Sequence, residues 1–411
     1  MNKQLTTALI IILTLFHHTM KLEAQVNNSV YTMFGVGQLL DNSFGINKSL
    51  GGTGIAFQSG VNINYLNPAS YIGIARKSYI LEAGLYSVSN KSENNNTSQS
   101  DNKVNLNYFS LSVYLTDWWA SSFGMIPFSN VDYEINSKDE ISGDLITLNK
   151  YYKGTGGLNQ IYWGNSFKIY GGLSVGFNAS YIVGPITQTE KVESSESFVG
   201  YEIKNERTAN SFYLDYGIQY SYNSENWLYT IGAIYGGSKK LETTDDLVFT
   251  YNDADTELVQ DELLDIKVPQ KVGVGFSIKK GRNFKAGFDY EWKNWSSINF
   301  SNSNINTKNS NRFSFGAEYS PIKERKNSWF DTFSYRLGAN YKNSYLEIDG
   351  IQIDSKAINL GIGIPYDKLS NINLAVEYGE EGTLENGLIK NSYWMFYINI
   401  SLHGLWAEVF R

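Results

Sequence analysis

The segment FKAGFDYEWK (284–293) alternates without a break. Phe284, Ala286, Phe288, Tyr290 and Trp292 fall on one side of an extended chain, and Lys285, Gly287, Asp289, Glu291 and Lys293 fall on the other. A period of two is the signature of a β-strand. The pattern returns in KVGVGFSIK (271–279), FSYRLGANY (333–341) and INLGIGI (358–364). It returns again near the C-terminus, where Phe396, Ile398, Ile400 and Leu402 oppose Tyr397, Asn399, Ser401 and His403.

Two architectures satisfy this pattern. A soluble β-sandwich turns its apolar face to a core; a membrane barrel turns it to lipid and lines its lumen with small polar side chains. The apolar faces here often end in Tyr or Trp, as membrane-interface girdles do. Tyr (30), Phe (22) and Gly (37) are abundant and Pro (6) is scarce. The N-terminus, MNKQLTTALIIILTLFHHTMKLEAQ, has the pattern of a secretory leader, with cleavage expected after Ala24. Beyond it, no apolar run approaches the ~20 residues that a spanning helix needs. The expected fold is therefore an all-β transmembrane antiparallel β-barrel.

Walking the chain gives strands at roughly 77–90, 103–116, 119–135, 157–167, 172–186, 210–222, 226–238, 269–280, 283–293, 311–320, 332–346, 355–365, 371–379 and 392–403, an even count of about fourteen. The alternation is blurred between 119 and 167. Long polar gaps such as 187–209 and 239–268 alternate with short ones such as TDWW and NSEN, the asymmetry of extracellular loops and periplasmic turns. In NLNYFSLSVYL (105–115) the phase shifts near Tyr108-Phe109; a β-bulge or a greasy patch on the lumen wall accounts for it, and the bulge is the preferred reading.

Composition excludes much chemistry. There is no Cys, and of three His, His17 and His18 lie in the leader, leaving His403. Common zinc sites and Ser-His or Cys-His dyads are therefore out of reach except through His403. A net charge of −7 without a basic stripe argues against nucleic acid. Residues 241–265 carry nine carboxylates and no Lys or Arg. YNDADTE (251–257) is the first place to look for calcium, but it lacks EF-hand spacing and reads as a solvated loop, so no metal and no cofactor is assigned. Glu380 and Glu381 are the paired carboxylates a glycosidase would need, and they sit at a strand end. The chain is read as a non-enzyme.

Residues 26–76 follow neither pattern. Gly is frequent, Tyr31, Phe34, Leu39, Leu40, Phe44, Leu50, Ile55 and Phe57 are scattered, and no strand-length alternation occurs. The segment is too apolar for a disordered leader. It reads as a plug inside the lumen, giving a division into leader (1–24), N-terminal hatch (25–76) and barrel (77–411).

SLGGTGIAF (49–57) followed by NINYLNPASY (62–71) resembles the start of the FadL/TodX-type outer-membrane transport family. Gly51, Gly52 and Gly54 match its Gly-rich hatch element, and Asn67, Pro68 and Ala69 match its Asn-Pro-Ala turn. VPQKVGVGFS (268–277) resembles a strand entry of that family. GTGGLNQIYWGNSFKI, YRLGANYKNSYLEIDG and GEEGTLENGLIKNSYW look like its Bacteroidota-type branch. The resemblance implies a fourteen-stranded barrel in the bacterial outer membrane, in contact with its lipid. Hydrophobic small molecules, of the long-chain fatty acid or aromatic hydrocarbon type, would bind near the hatch and leave sideways through the wall. Phe34, Leu39, Leu40 and Phe57 are then candidate ligand contacts. Arg336, lumen-facing by its phase, can meet an anionic group or pair with Glu318 or Asp289. Because a fold does not fix a function, a second reading stands beside uptake: a non-transporting barrel subunit of an outer-membrane secretion or assembly complex, with outer-membrane or periplasmic proteins as partners.

Overall fold

The computed structural model describes residues 29–140, 147–194, 200–251, 254–258, 266–295, 305–321, 329–367 and 369–405. The leader and residues 252–253 and 259–265 of the acidic segment lie outside them.

Fourteen antiparallel strands close into one barrel. β1 is Ser78–Glu93 and β2 is Ser98–Thr116. β3 runs through Trp119–Pro127 and on through Ser129–Glu140. β4 joins Thr147–Gly156 to Asn159–Tyr170. β5 is Leu173–Ser194 and β6 is Tyr201–Ser224. β7 comprises Trp227–Gly236, Lys239–Lys240 and Glu242–Tyr251; β8 comprises Ala254–Leu258, Lys267–Val268 and Gln270–Lys280. β9 is Phe284–Asn294 and β10 is Ser310–Tyr319, preceded by Ile305–Thr307. β11 is Ser334–Ile348, β12 Ile351–Pro365, β13 Asn371–Gly382 and β14 Lys390–Leu405. β14 pairs back onto β1 along its whole length, from Ser78↔Leu405 to Glu93↔Lys390.

The polarity is the reverse of a soluble core. Phe276, Phe288, Phe315, Leu337, Ile358, Leu360 and Ile398 are exposed on the outside, while Gln219, Asp289, Arg336, Asn359, Asn373 and Asn399 are buried inside. β6 shows where this stops. Its outward residues are Glu202, Lys204, Glu206, Thr208 and Asn210 in the upper half, then Phe212, Leu214, Tyr216, Ile218, Tyr220 and Tyr222 in the lower half. The change at Phe212 marks the edge of the lipid band, because the side chains above it face water. The same fact corrects the expected long loops. Much of 187–209 and 239–268 is strand: β5 runs to Ser194, β6 starts at Tyr201, and Glu242–Tyr251 pairs with Tyr201–Asn210. Above the lipid band no apolar face is required, so these extensions lose the hydrophobic alternation that reveals a strand. The described part of the acidic segment is thus a strand hairpin and not a loop. Among the described residues no His, Cys, Asp and Glu cluster could hold a metal ion.

The bulge in β2 is present. Gly84 opposes Tyr108 and Leu85 opposes Leu106, so Asn107 is the extra residue. Beyond it the wall departs from a regular barrel. The lower part of β2, Phe109–Thr116, pairs with Trp119–Met125 of β3. Above Pro127, β3 leaves β2: Ser129 and Asn130 pair with Leu39 and Gln38 of the N-terminal segment, and the Leu40 N–H donates to the Phe128 carbonyl. Among the described residues Ser98–Tyr108 has no strand partner on its β3 side. β4 accommodates the departure with Gly156 and Gly157 at φ +108° and +140°.

Leu360, which is 60 % exposed, opposes Leu337 and Val376 in the middle of the outer face. Leu360→Arg should destabilise the folded barrel by about 2–4 kcal/mol in a bilayer, the midplane cost of a lipid-facing cation, read from reversible denaturant unfolding. Asn359→Ser, one residue away but lumen-facing, should cost well under half of that.

Candidate functional site

The N-terminal segment contains only short regular pieces: Val30–Met33, Gly45–Lys48 and Pro68–Gly73 as helical turns, and the two-residue strand Gln38–Leu39. Its backbone polar groups must therefore find partners elsewhere. They find them on the inner face of the barrel. Asp289 of β9 accepts from the Gly54 and Ile55 N–H groups at 2.6 and 2.8 Å. Glu82 of β1 accepts from the Ile63 N–H at 3.0 Å and from the Tyr108 hydroxyl at 2.9 Å. Gln219 of β6 donates to the Ile55 carbonyl at 2.8 Å, and Ser277 of β8 donates to the Ala56 carbonyl at 2.8 Å. Tyr108 stacks on Phe44 with ring centroids 3.7 Å apart.

The Asn-Pro-Ala turn is built as a cap. Asn67 accepts from the Ala69 N–H at 3.0 Å and donates to the Ile55 carbonyl at 2.8 Å, and Pro68 opens the helical turn. The turn docks on the wall: Ser166 of β4 donates to the Ala69 carbonyl, and Tyr71 donates to Asn178 of β5, each at 2.9 Å. Gly51 and Gly52 lie at φ +67° and +77°. A Cβ on Gly51 would come within 2.6 Å of the Ala339 carbonyl oxygen, so the backbone can approach β11 only as glycine. Gly54 packs against Asn47 and Leu66.

Charge is concentrated around Asp41. Arg312 of β10 grips it with two parallel hydrogen bonds of 3.0 and 2.9 Å and reaches the Gly51 carbonyl at 3.1 Å. Lys48 lies 3.5 Å away. Burial alone would raise the Asp41 carboxyl, but the Arg312 guanidinium and the Lys48 ammonium outweigh it and hold the group far below the usual carboxylate range. Stability from a depressed carboxyl is complete above its unfolded pKa of about 3.9 and is lost only as pH falls through the lower folded value.

A cavity of about 160 Å³ remains beside this segment. Leu39, Leu40, Phe44, Tyr86, Ile126, Pro127 and Met395 line it, together with Asp41, Lys48, Glu291, Lys293, Arg312, Lys342, Glu377 and Glu381. Asn107 and Pro127, the residues where β2 and β3 part, are among its walls. Of the candidate ligand contacts, Leu39 and Leu40 reach it. Phe34 packs beside Trp295 and Tyr345, and Phe57 packs with Ile46 and Leu50 under Lys285. Arg336 is ion-paired to Glu318 at 2.6 Å and donates to Asn373 at 2.8 Å. Asp289, its other suggested partner, serves the N-terminal segment. Glu380 and Glu381 face opposite sides of β13: Glu380 pairs with Lys356 and Lys390, and Glu381 accepts from Gln38. His403 has buried ring nitrogens without a hydrogen-bond partner among the described residues.

A family model described as BamG matches residues 1–410. The chain belongs to the BamG family. No curated protein matches it. Among solved structures, this BamG-family barrel is similar to the Ralstonia pickettii toluene transporter TbuX, with 15 % identity over 88 % of this chain and 98 % of that one and a TM-score of 0.62. The Pseudomonas putida toluene transporter TodX gives 15 % identity, coverage of 89 % and 99 %, and a TM-score of 0.60. A Pseudomonas aeruginosa FadL homologue gives 10 % identity, coverage of 91 % and 100 %, and a TM-score of 0.58. At such identities the likeness establishes a shared FadL-type barrel fold.

Sequence reasoning placed Asp289 on the lumen face but missed its partner, and it missed Glu82, Asp41 and Arg312. For Asp289, Glu82 and Arg312 the signal is a charge in the lumen phase of a strand, which announces a buried partner without saying which; Asp41, outside any strand, carries no such mark. Asp289→Ala should lower amide exchange protection at Gly54 and Ile55 by about 10- to 100-fold, as expected for leaving two buried donors without their acceptor, with the β-strand amides unchanged. Taking the wild type from about pH 7 to about pH 4 should leave protection around Asp41 unaltered, because its depressed carboxyl stays ionised throughout; a loss of protection in that window would contradict the clamp.

Proposed function

We propose that this barrel is a non-enzymatic, non-transporting subunit of an outer-membrane assembly or secretion complex, with residues 25–76 acting as a standing hatch in the 77–411 barrel behind a cleaved leader (1–24). The observation that carries this reading is the filling of the lumen. Two buried carboxylates, a bidentate Arg312–Asp41 clamp and the docked Asn67-Pro68-Ala69 turn hold the segment in place. The two adjoining cavities beside it are about 160 and 70 Å³, each below the ~300–1,000 Å³ of ordinary ligand pockets. Its many charged walls disfavour a greasy solute. The full-length family match, to BamG, supports the same reading.

A second reading is favoured by one specific feature: the cavity reaches the parting of β2 and β3 at Asn107 and Pro127. In this reading the barrel takes up hydrophobic small molecules, of the fatty acid or aromatic hydrocarbon kind, through a hatch that shifts and a lateral path into the membrane. The solved relatives with this fold include toluene transporters. Gly51, Gly52, Gly54, Asn67, Pro68 and Ala69 would then be hatch residues, and Leu39 and Leu40 ligand contacts. Membership of a Bacteroidota-type branch rests on the sequence resemblance and suits either reading.

Gentle extraction from the native outer membrane followed by native mass spectrometry separates them. The complex reading expects a stoichiometric protein partner and a barrel without bound small molecule. A partner-free barrel carrying a lipid-like mass that survives delipidation would overturn it in favour of uptake.

A further inference from the structure

Among the described residues, the apolar band of the outer wall is broken at one place. Between the girdles the outward positions carry apolar or aromatic side chains, as in Leu111 and Val113 of β2, Phe177 and Tyr181 of β5, and Ile398 and Ile400 of β14. The exceptions are Ser121 of β3 and Asn165 of β4, which oppose each other in register. Polar side chains on a face turned to hydrocarbon are costly and call for a reason.

Part of the reason is local. The Trp119 indole N–H donates to Asn165 Oδ1 at 2.9 Å, and the Trp163 indole N–H donates to Ser121 Oγ at 3.0 Å. Ser121 in turn donates to the Gly164 carbonyl at 2.9 Å and is complete. Asn165 is not. An indole nitrogen only donates, so the atom facing Trp119 must be the amide oxygen, which fixes the orientation of the amide. Its Nδ2 is buried and has no hydrogen-bond partner among the described residues. The residue is 2 % exposed and stands among rings. Trp163 and Phe167 flank it on β4, Phe177 opposes it on β5, and Phe167 stacks with Trp118 and Trp119 at centroid distances of 6.0 and 6.5 Å. A buried donor without an acceptor implies an acceptor that comes from outside the wall.

Depth identifies that acceptor. Trp119 and Phe167, paired in the row below, and Trp118 in the turn form an aromatic girdle at headgroup level on the short-turn, periplasmic side. Two residues along a strand tilted by about 40° carry Asn165 about 5 Å further in. A headgroup region is about 5–7 Å thick, so the amide lies where acyl chains join their glycerol. We propose that Asn165 anchors a phospholipid site on the outer wall. Its Nδ2 donates to an acyl ester carbonyl of a glycerophospholipid in the periplasmic leaflet, and the surrounding rings pack along the chain. Those rings face lipid, where exposed side chains change rotamer in ps–ns, so a carbonyl reaches the amide with the strand ladder intact. The site rests on neither functional reading, because a complex subunit and an uptake channel both stand in this leaflet.

Two lipids that differ only in that carbonyl provide the test. The whole barrel is purified in detergent and incubated with equal amounts of dipalmitoyl-phosphatidylethanolamine and its diether analogue, dihexadecyl-phosphatidylethanolamine. Single-lipid adducts are then weighed by native mass spectrometry. The wild type should retain the diester about 5- to 10-fold over the diether, the preference that one hydrogen bond supplies. Asn165→Leu, close in volume and apolar on a lipid-facing position, should retain the two equally. Ser121→Ala should keep the preference, because the Ser121 hydroxyl is already committed to Gly164. Folded barrel is verified for each variant by heat-modifiable gel migration. Equal retention by the wild type, or an undiminished preference in folded Asn165→Leu, would overturn the site. So would a protein that copurifies with the wild type, is lost in Asn165→Leu and leaves the barrel without bound lipid, since the acceptor would then belong to a neighbouring subunit.

Discussion

Every backbone N–H and C=O that enters a bilayer must be paired before it gets there, because hydrocarbon offers no partner. In this chain that requirement is met by closing β14 onto β1 from Ser78↔Leu405 to Glu93↔Lys390. The rest follows from the closure. Alternate side chains must face lipid, so Phe315, Leu337 and Leu360 are exposed. Their neighbours must face inward, so the interior is lined with Gly, Ser, Asn and charge. A polar interior cannot be filled by an ordinary hydrophobic core. What packs there must bring its own hydrogen-bonding groups, and an irregular backbone has them in surplus.

That is why residues 29–76 have so little regular structure yet sit so firmly. Helix or sheet would consume the very N–H and C=O groups that the wall needs. The Gly54 and Ile55 amides go to Asp289, the Ile63 amide goes to Glu82, and the Ala56 carbonyl goes to Ser277. Small apolar clusters fill the space between, as with Phe44 against Tyr108 and Phe57 against Leu50. Segment and wall are complementary in the way two domains are, and neither is complete alone.

The strand count, the lumen phase and the bulge at Asn107 were legible in the sequence, because each leaves a mark in the period-two pattern. The Glu318 partner of Arg336 was legible too, as a choice of two. The upper reaches of β5, β6 and β7 were not, since a strand with water on its outside carries no apolar face to reveal it. Nor was the partner of any lumen charge in the N-terminal segment: Asp289 in FKAGFDYEWK announces a need, and only the fold brings Gly54 to it. The blurred stretch between 119 and 167 is the informative failure. It contains Pro127, where β3 leaves β2, and Gly156-Gly157, where β4 bends to follow. The pattern was unreadable there because the wall itself is irregular there, and a lapse in local consistency often marks a strained or functional place.

The same fold at about 15 % identity houses toluene transporters, and fold alone does not carry their activity across. The chemistry of the interior weighs the other way. A greasy solute gains by leaving water only if the path it enters is dry and apolar. Here an apolar lip formed by Leu39, Leu40 and Ile126 opens directly onto Asp41, Arg312, Glu377 and Lys342. Of these, Arg312 ties the N-terminal segment to the wall through Asp41 and Gly51, so widening the path there would mean breaking those bonds. An interior whose charges serve its own packing is the ground for the complex-subunit reading proposed above, in preference to conduction of apolar cargo.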